Sequence, residues 1–220
     1  IDYCLKAVRA SSGLVHSLNS KFLLGYTYLT AGRVADAEAI LEEIVRFAAR
    51  HGYEYLGSAA QALSALVGLA QGRVAAGVRA LRRHMEAFQA AGKRYHYLTF
   101  DYLLGKIYLQ IALRQGAFRL PQMIRNLAFL AVALPTAGRQ AERHLEQALT
   151  LAADIGARGI AAQAHLDLAL LWKARRSPAR AWEHAQASLR LWTECEADVH
   201  LAQARKLLEA LPADGPEAGD

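Results

Sequence analysis

Small and apolar residues return along this chain at a spacing of forty. Gly25, Tyr28, Gly32-Arg33, Ala37 and Gly52 are followed by Ala65, Gly68, Gly72-Arg73, Gly77 and Gly92. Part of the set comes back as Gly105 and Tyr108. After an extra twenty-four residues it resumes as Ala141 and Gly156, then Ala169, Trp172, Ala181 and Glu196. Within each period two apolar stripes at helical spacing are separated by a short turn, and a period of this size marks a solenoid of helical hairpins. The spacing predicts helices over about 15–31 and 34–50, with Gly52 as a left-handed cap. It repeats them over about 54–70 and 74–91, and then over about 94–114. Further helices are expected at about 158–174, at 178–194 behind Ser177-Pro178, and as a cap at 197–210.

The small residues have a packing reason. Gly25, Ala65, Gly105 and Ala169 sit where the first helix of each hairpin crosses the second, which offers Ala37, Gly77, Ala141 and Ala181. Backbones approach closely there, and Tyr28, Tyr108 and Trp172 fill the space one turn on. Leucine at Ala37 or Ala141 would overpack the crossing at a cost of about 1–3 kcal/mol, which a thermal melt reads directly.

Composition supports helices over strands: 54% of residues are apolar and only 8% aromatic, with Ala and Leu dominant. The longest apolar run, Leu127 to Leu134, is far short of the roughly eighteen residues of a membrane span. Cys4 and Cys195 sit at opposite ends of the array and are not expected to pair, which fits a reducing, cytoplasmic setting. The chain starts at Ile1, and residues 1–12 read as the second helix of a hairpin whose first helix lies in a longer parent protein. The tail 212–220, with Gly, Pro and acids, is expected to be disordered.

The net charge of +6 is spread along the chain, with one exception. No acid occurs between Asp101 and Glu142, while Lys106, Arg114, Arg119, Arg125 and Arg139 do. Such a stretch could attract nucleic acid or an acidic partner; flanking an apolar insertion to keep it soluble is the plainer role. The insertion runs from about Ala117 to Gln140, with Pro121 and Pro135 bracketing an apolar segment from Met123 to Leu134. A free apolar helix is costly to expose. Arg119, Met123, Arg125 and Phe129 are therefore candidate docking residues toward the chain's own hairpins, another domain or a second copy.

Leu24-Gly25 with Tyr28, then Gly32, Ala37 and Leu41, resembles the tetratricopeptide repeat, as does Leu104-Gly105 with Tyr108, then Ala141, Leu145 and Ala148. That repeat is about 34 residues long, so these hairpins are longer. Gly77 and Gly68 depart from its alanine and tyrosine positions, and its closing prolines are missing. The resemblance implies an all-α, right-handed superhelix with repeats at about 15–53, 54–93, 94–156 (insertion 117–140) and 157–196, and a capping helix at 197–211. The phrases LLGYTYLTAGRVADAEAIL, RHGYEYLGSAAQAL, LLGKIYLQIA and IGARGIAAQAHLDLALLWKA look like the repeats that follow the cyclase and ATPase domains of large bacterial signalling proteins. Similar repeats follow the ATPase of LuxR-type regulators. This implies a regulatory arm that binds a protein or peptide, or other domains of its own chain; a second copy is the alternative partner, and nucleic acid the less favoured one.

The chemistry of catalysis is missing from the motifs. There is no phosphate-binding G-x-x-x-x-G-K-[ST] loop, no H-E-x-x-H and no Cys/His cluster at metal spacing, so no cofactor is expected. His144 and His184 recur three residues after the small residue of the second helix, which points to surface or interface packing rather than ligation. In tetratricopeptide arrays the first helices line a concave face. Carried over, that face comprises Asn19, Phe22, Tyr26 and Leu29; Ala62, Leu66 and Leu69; Tyr102, Lys106 and Leu109; and Leu166, Leu170 and Lys173. Such a lining suits an amphipathic helix with an acidic end, with Lys106 and Lys173 as its ion-pair partners; tight curling that buries these residues is the alternative.

Overall fold

A computed structural model of the protein describes residues 1–114, 131 and 133–212. Among them are ten α-helices and no strand, so the fold is all-α. The described residues fall into two compact units that divide between Ala91 and Gly92. The first holds α1 (Asp2–Ala10), α2 (Leu14–Thr30), α3 (Val34–His51), α4 (Glu54–Ala70) and α5 (Val74–Ala90). The second holds α6 (Arg94–Ala112), α7 (Ala137–Ile155), α8 (Arg158–Ala174), α9 (Pro178–Glu194) and α10 (Asp198–Glu209). None of the described helices is long and apolar enough to cross a membrane.

Within each unit a helix packs on its chain neighbours, and α2 on α4 and α6 on α8 add a contact to the helix two further on. The turns repeat one closure. Arg33 N–H donates to Tyr28 O, Arg73 to Gly68 and Ser177 to Trp172, at 2.8, 2.8 and 3.0 Å. The cap expected at Gly52 is left-handed, with φ 74°, where a side chain would be strained. Ser177 does occupy the N-cap of α9 with Pro178 behind it, but its hydroxyl makes no capping bond.

The helix crossings are as tight as the small residues imply. Ala37, Ala141 and Ala181 are fully buried. A Cβ placed on Gly25 would lie 3.0 Å from Ile40 Cγ2, and one on Gly105 would lie 3.0 Å from His144 Cβ. Tyr108 and Trp172 are buried, and Tyr28 is half-buried beneath the Arg33 guanidinium. The insertion's expected end needs correction. Residues 137–140 already form the first turn of α7, because Pro135 and Thr136 make the turn that starts it. Arg119, Met123, Arg125 and Phe129, and the tail beyond Pro212, lie outside the described residues.

Candidate partner surface and buried polar network

In the first unit, α2 turns Leu18, Leu24 and Gly25 inward. Its other side carries Asn19 and Tyr26, both exposed, and Phe22, which is half-buried. The repeat makes the comparison with α4 direct. Leu23 is 57% exposed while its counterpart Leu63 is 1% exposed, and Tyr26 is 37% exposed against 8% for Leu66. The residues are alike; their neighbours differ. Helix α4 is enclosed by α2, α3 and α5, whereas among the described residues α2 has beyond it only the nine-residue α1, which buries nothing of its own. Leu14, Val15 and Tyr3 are exposed as well, so apolar surface gathers at α1 and α2. Leu66, by contrast, offers no surface to a partner.

In the second unit, Tyr102 and Leu109 are buried, Leu170 is half-buried and Lys173 is exposed. Burial of Tyr102 and Leu109 follows from α6 packing on both α7 and α8. Lys106 has a partner inside the unit: its ammonium lies 3.4 Å from Asp167 Oδ2 and donates to Tyr102 Oη at 3.1 Å. Tyr102 Oη in turn donates to the same carboxylate oxygen at 2.9 Å. Burial raises the Asp167 pKa, opposed by Lys106 and Tyr102. Of the two lysines expected to meet an acidic partner, Lys106 is thus engaged internally.

Of the surface or interface packing expected of the recurrent histidines, His144 takes the interface role. It is buried, with Nδ1 donating to Asp101 Oδ1 at 2.7 Å and its ring stacked on Tyr108. Asp101 is 1% exposed, and its Oδ2 has no donor among the described residues. The matching site of the next hairpin holds His165 and His184, Nδ1 to Nδ1 at 2.9 Å, so one ring donates to the other. Thus one position on the first helix and one on the second carry a polar pair in both hairpins of this unit. Asp101 and Asp167 escaped the sequence reading. The available signal was an acid inside a stripe of packing residues, four before Gly105 and two before Ala169.

Burial, His184 and Arg190 lower the His165 pKa to about 4; burial and Arg180 lower that of His184, against Glu183, which raises it. A depressed histidine pKa means that the unfolded chain binds the extra proton first. The stabilisation is therefore complete above the ordinary histidine value of about 6.5 and is lost as pH falls toward the folded values. Both rings are half-exposed, so about 1–2 kcal/mol is expected over that range after allowance for solvent screening. Melting temperatures of the native chain and of His165→Leu with His184→Leu, from pH 7 to 4.5, check this; parallel pH slopes would contradict it.

Among the described residues, no group of three or more His, Cys, Asp or Glu is placed to hold a metal ion. Compared with models of protein families and with curated proteins, the chain matches none.

Proposed function

We propose that this chain is a non-catalytic protein-interaction module of tetratricopeptide-like hairpins, each unit a stretch of right-handed superhelix. Its place is in a bacterial signalling protein of the cyclase–ATPase–repeat kind, as the arm that senses a partner. The observation that carries the interaction reading is the apolar face of α2. Leu23 and Tyr26 stand exposed where Leu63 and Leu66, at the same repeat positions, are covered. Hairpins of this kind bury one another's apolar faces, so an apolar face that the described residues leave exposed is a surface for another helix. The polar outer face of α10, with Gln203, Arg205, Lys206 and Glu209 exposed, has the character of a cap.

Site-specific photo-crosslinking in cells tests the reading. A crosslinker at Leu23 is expected to give one discrete adduct that Tyr26→Glu abolishes, while a crosslinker at Arg205 gives none. Indistinguishable adducts from the two positions would refute it. Because Leu23 is exposed, Leu23→Glu should change stability by no more than about 0.5 kcal/mol.

A further inference from the structure

Where α8 turns into α9, one edge of the second unit carries Arg175, Arg176 and Arg180, with Glu142 beside Arg175 and Glu183 three residues on from Arg180. Arg175 donates to Glu142 Oε2 at 2.8 Å, and its guanidinium lies 4.7 Å from the Trp172 ring centre. Arg180 lies over the same ring at 4.3 Å. A Cβ on Gly138 would sit 3.2 Å from Arg175 Nη2, so the first turn of α7 borders this edge. Arg176 follows Arg175 in the turn with φ 57°, the left-handed conformation that Gly32 and Gly72 hold at the matching turns. Glycine adopts that conformation at no steric cost and arginine does not.

Among the described residues Glu142 is the only acid paired with these arginines. Arg176 and Arg180 are exposed and make no ion pair among the described residues. The Trp172 ring fixes Arg180 by cation–π attraction, so a partner need not order that side chain itself.

We propose that this edge is a docking site for an acidic protein segment, whose carboxylates engage Arg176 and Arg180. Planar guanidinium groups match carboxylates with paired hydrogen bonds. Nucleic acid suits the edge less well. Single strands are held by stacking bases on aromatic faces, and Trp172 is buried and already covered by two guanidinium groups. Two unpaired cations also fall far short of the roughly six to ten phosphate contacts that make such binding strong. The site lies in the second unit and does not depend on the α2 face, so either reading can fail alone.

Fluorescence anisotropy with the full chain and a labelled oligoglutamate peptide at low salt is the test. Binding is expected to weaken as salt rises, and Arg176→Gly with Arg180→Glu should weaken it about tenfold or more. Arg205→Glu with Lys206→Gln on α10 makes the same change in net charge and should alter it by less than about twofold. Arg176→Gly alone removes one guanidinium while easing the backbone, so it should weaken binding severalfold with an unchanged or raised melting temperature. Equal weakening by the two double variants would overturn the proposal, as would no binding by the native chain. Tighter binding of an oligothymidylate of equal charge, lost in the same variants, would reassign the edge to nucleic acid.

Discussion

Replacing His144 with leucine is expected to destabilise the second unit by about 3–5 kcal/mol, the cost of leaving one member of a buried pair alone. His144 Nδ1 supplies the hydrogen bond to Asp101 Oδ1, and Oδ2 already lacks a donor among the described residues. The variant therefore strands a carboxylate in the interface of α6 and α7, where Asp101 is 1% exposed. Asp101→Leu leaves an imidazole N–H without its acceptor instead, and should cost about 1–3 kcal/mol. The double variant should recover most of the loss of His144→Leu, since an apolar pair of similar volume needs no hydrogen bond. All three tryptophans, Trp172, Trp182 and Trp192, lie in the second unit. Urea denaturation followed by tryptophan fluorescence therefore reads this unit. Equal midpoints for His144→Leu and the native chain would show that the pair contributes nothing.

Gly77→Ala and Gly68→Ala should shift stability in opposite directions, although each replaces a helical glycine in the first unit. Alanine ordinarily gains about 1 kcal/mol over glycine in a helix interior. At Gly68 the new methyl would meet only the flexible Arg73 side chain, at 3.6 Å, so a gain of about 0.5–1 kcal/mol is expected. At Gly77 it would lie 2.6 Å from Leu69 Cγ and 2.9 Å from the backbone oxygen of Ala65. Leu69 can turn aside, but the Ala65 carbonyl belongs to α4 and moves only with that helix. Overpacking of this kind costs about 1–3 kcal/mol, and α5 must shift away from α4. Helical circular dichroism during thermal melting gives both signs; a gain from both substitutions would disprove the close crossing of α4 and α5.

The helices were legible because their determinants are local. The forty-residue return of small residues and the glycine turns place α2 through α5 within about a residue of their observed ends, as they do α8 and α9. The start of α7 was misplaced because the repeat resumes after the insertion at Ala141, and the earlier turn around Pro135 has no copy elsewhere to be read from. The candidate site was less legible. Asn19, Phe22, Tyr26, Leu66, Tyr102, Lys106, Leu109, Leu170 and Lys173 occupy equivalent kinds of position by repeat logic. Yet Tyr26 is exposed while Leu66, Tyr102 and Leu109 are buried. Nothing in the residue types separates them, since exposure depends on which helices lie alongside.

The sequence by itself determined that the chain is helical, where its hairpins turn and which small residues let paired helices meet, because propensity, periodicity and turn chemistry act over a few residues. Only the tertiary structure decided which polar groups are engaged. Asp101 meets His144 across 43 residues of chain and Tyr102 meets Asp167 across 65. Those pairings exist because adjacent helices bring the partners into a space that excludes water, where an unmatched charge is too costly to remain. The same packing leaves Leu23 of α2 open while it closes over Leu63 of α4: burial is a property of neighbours, and neighbours are set by the fold.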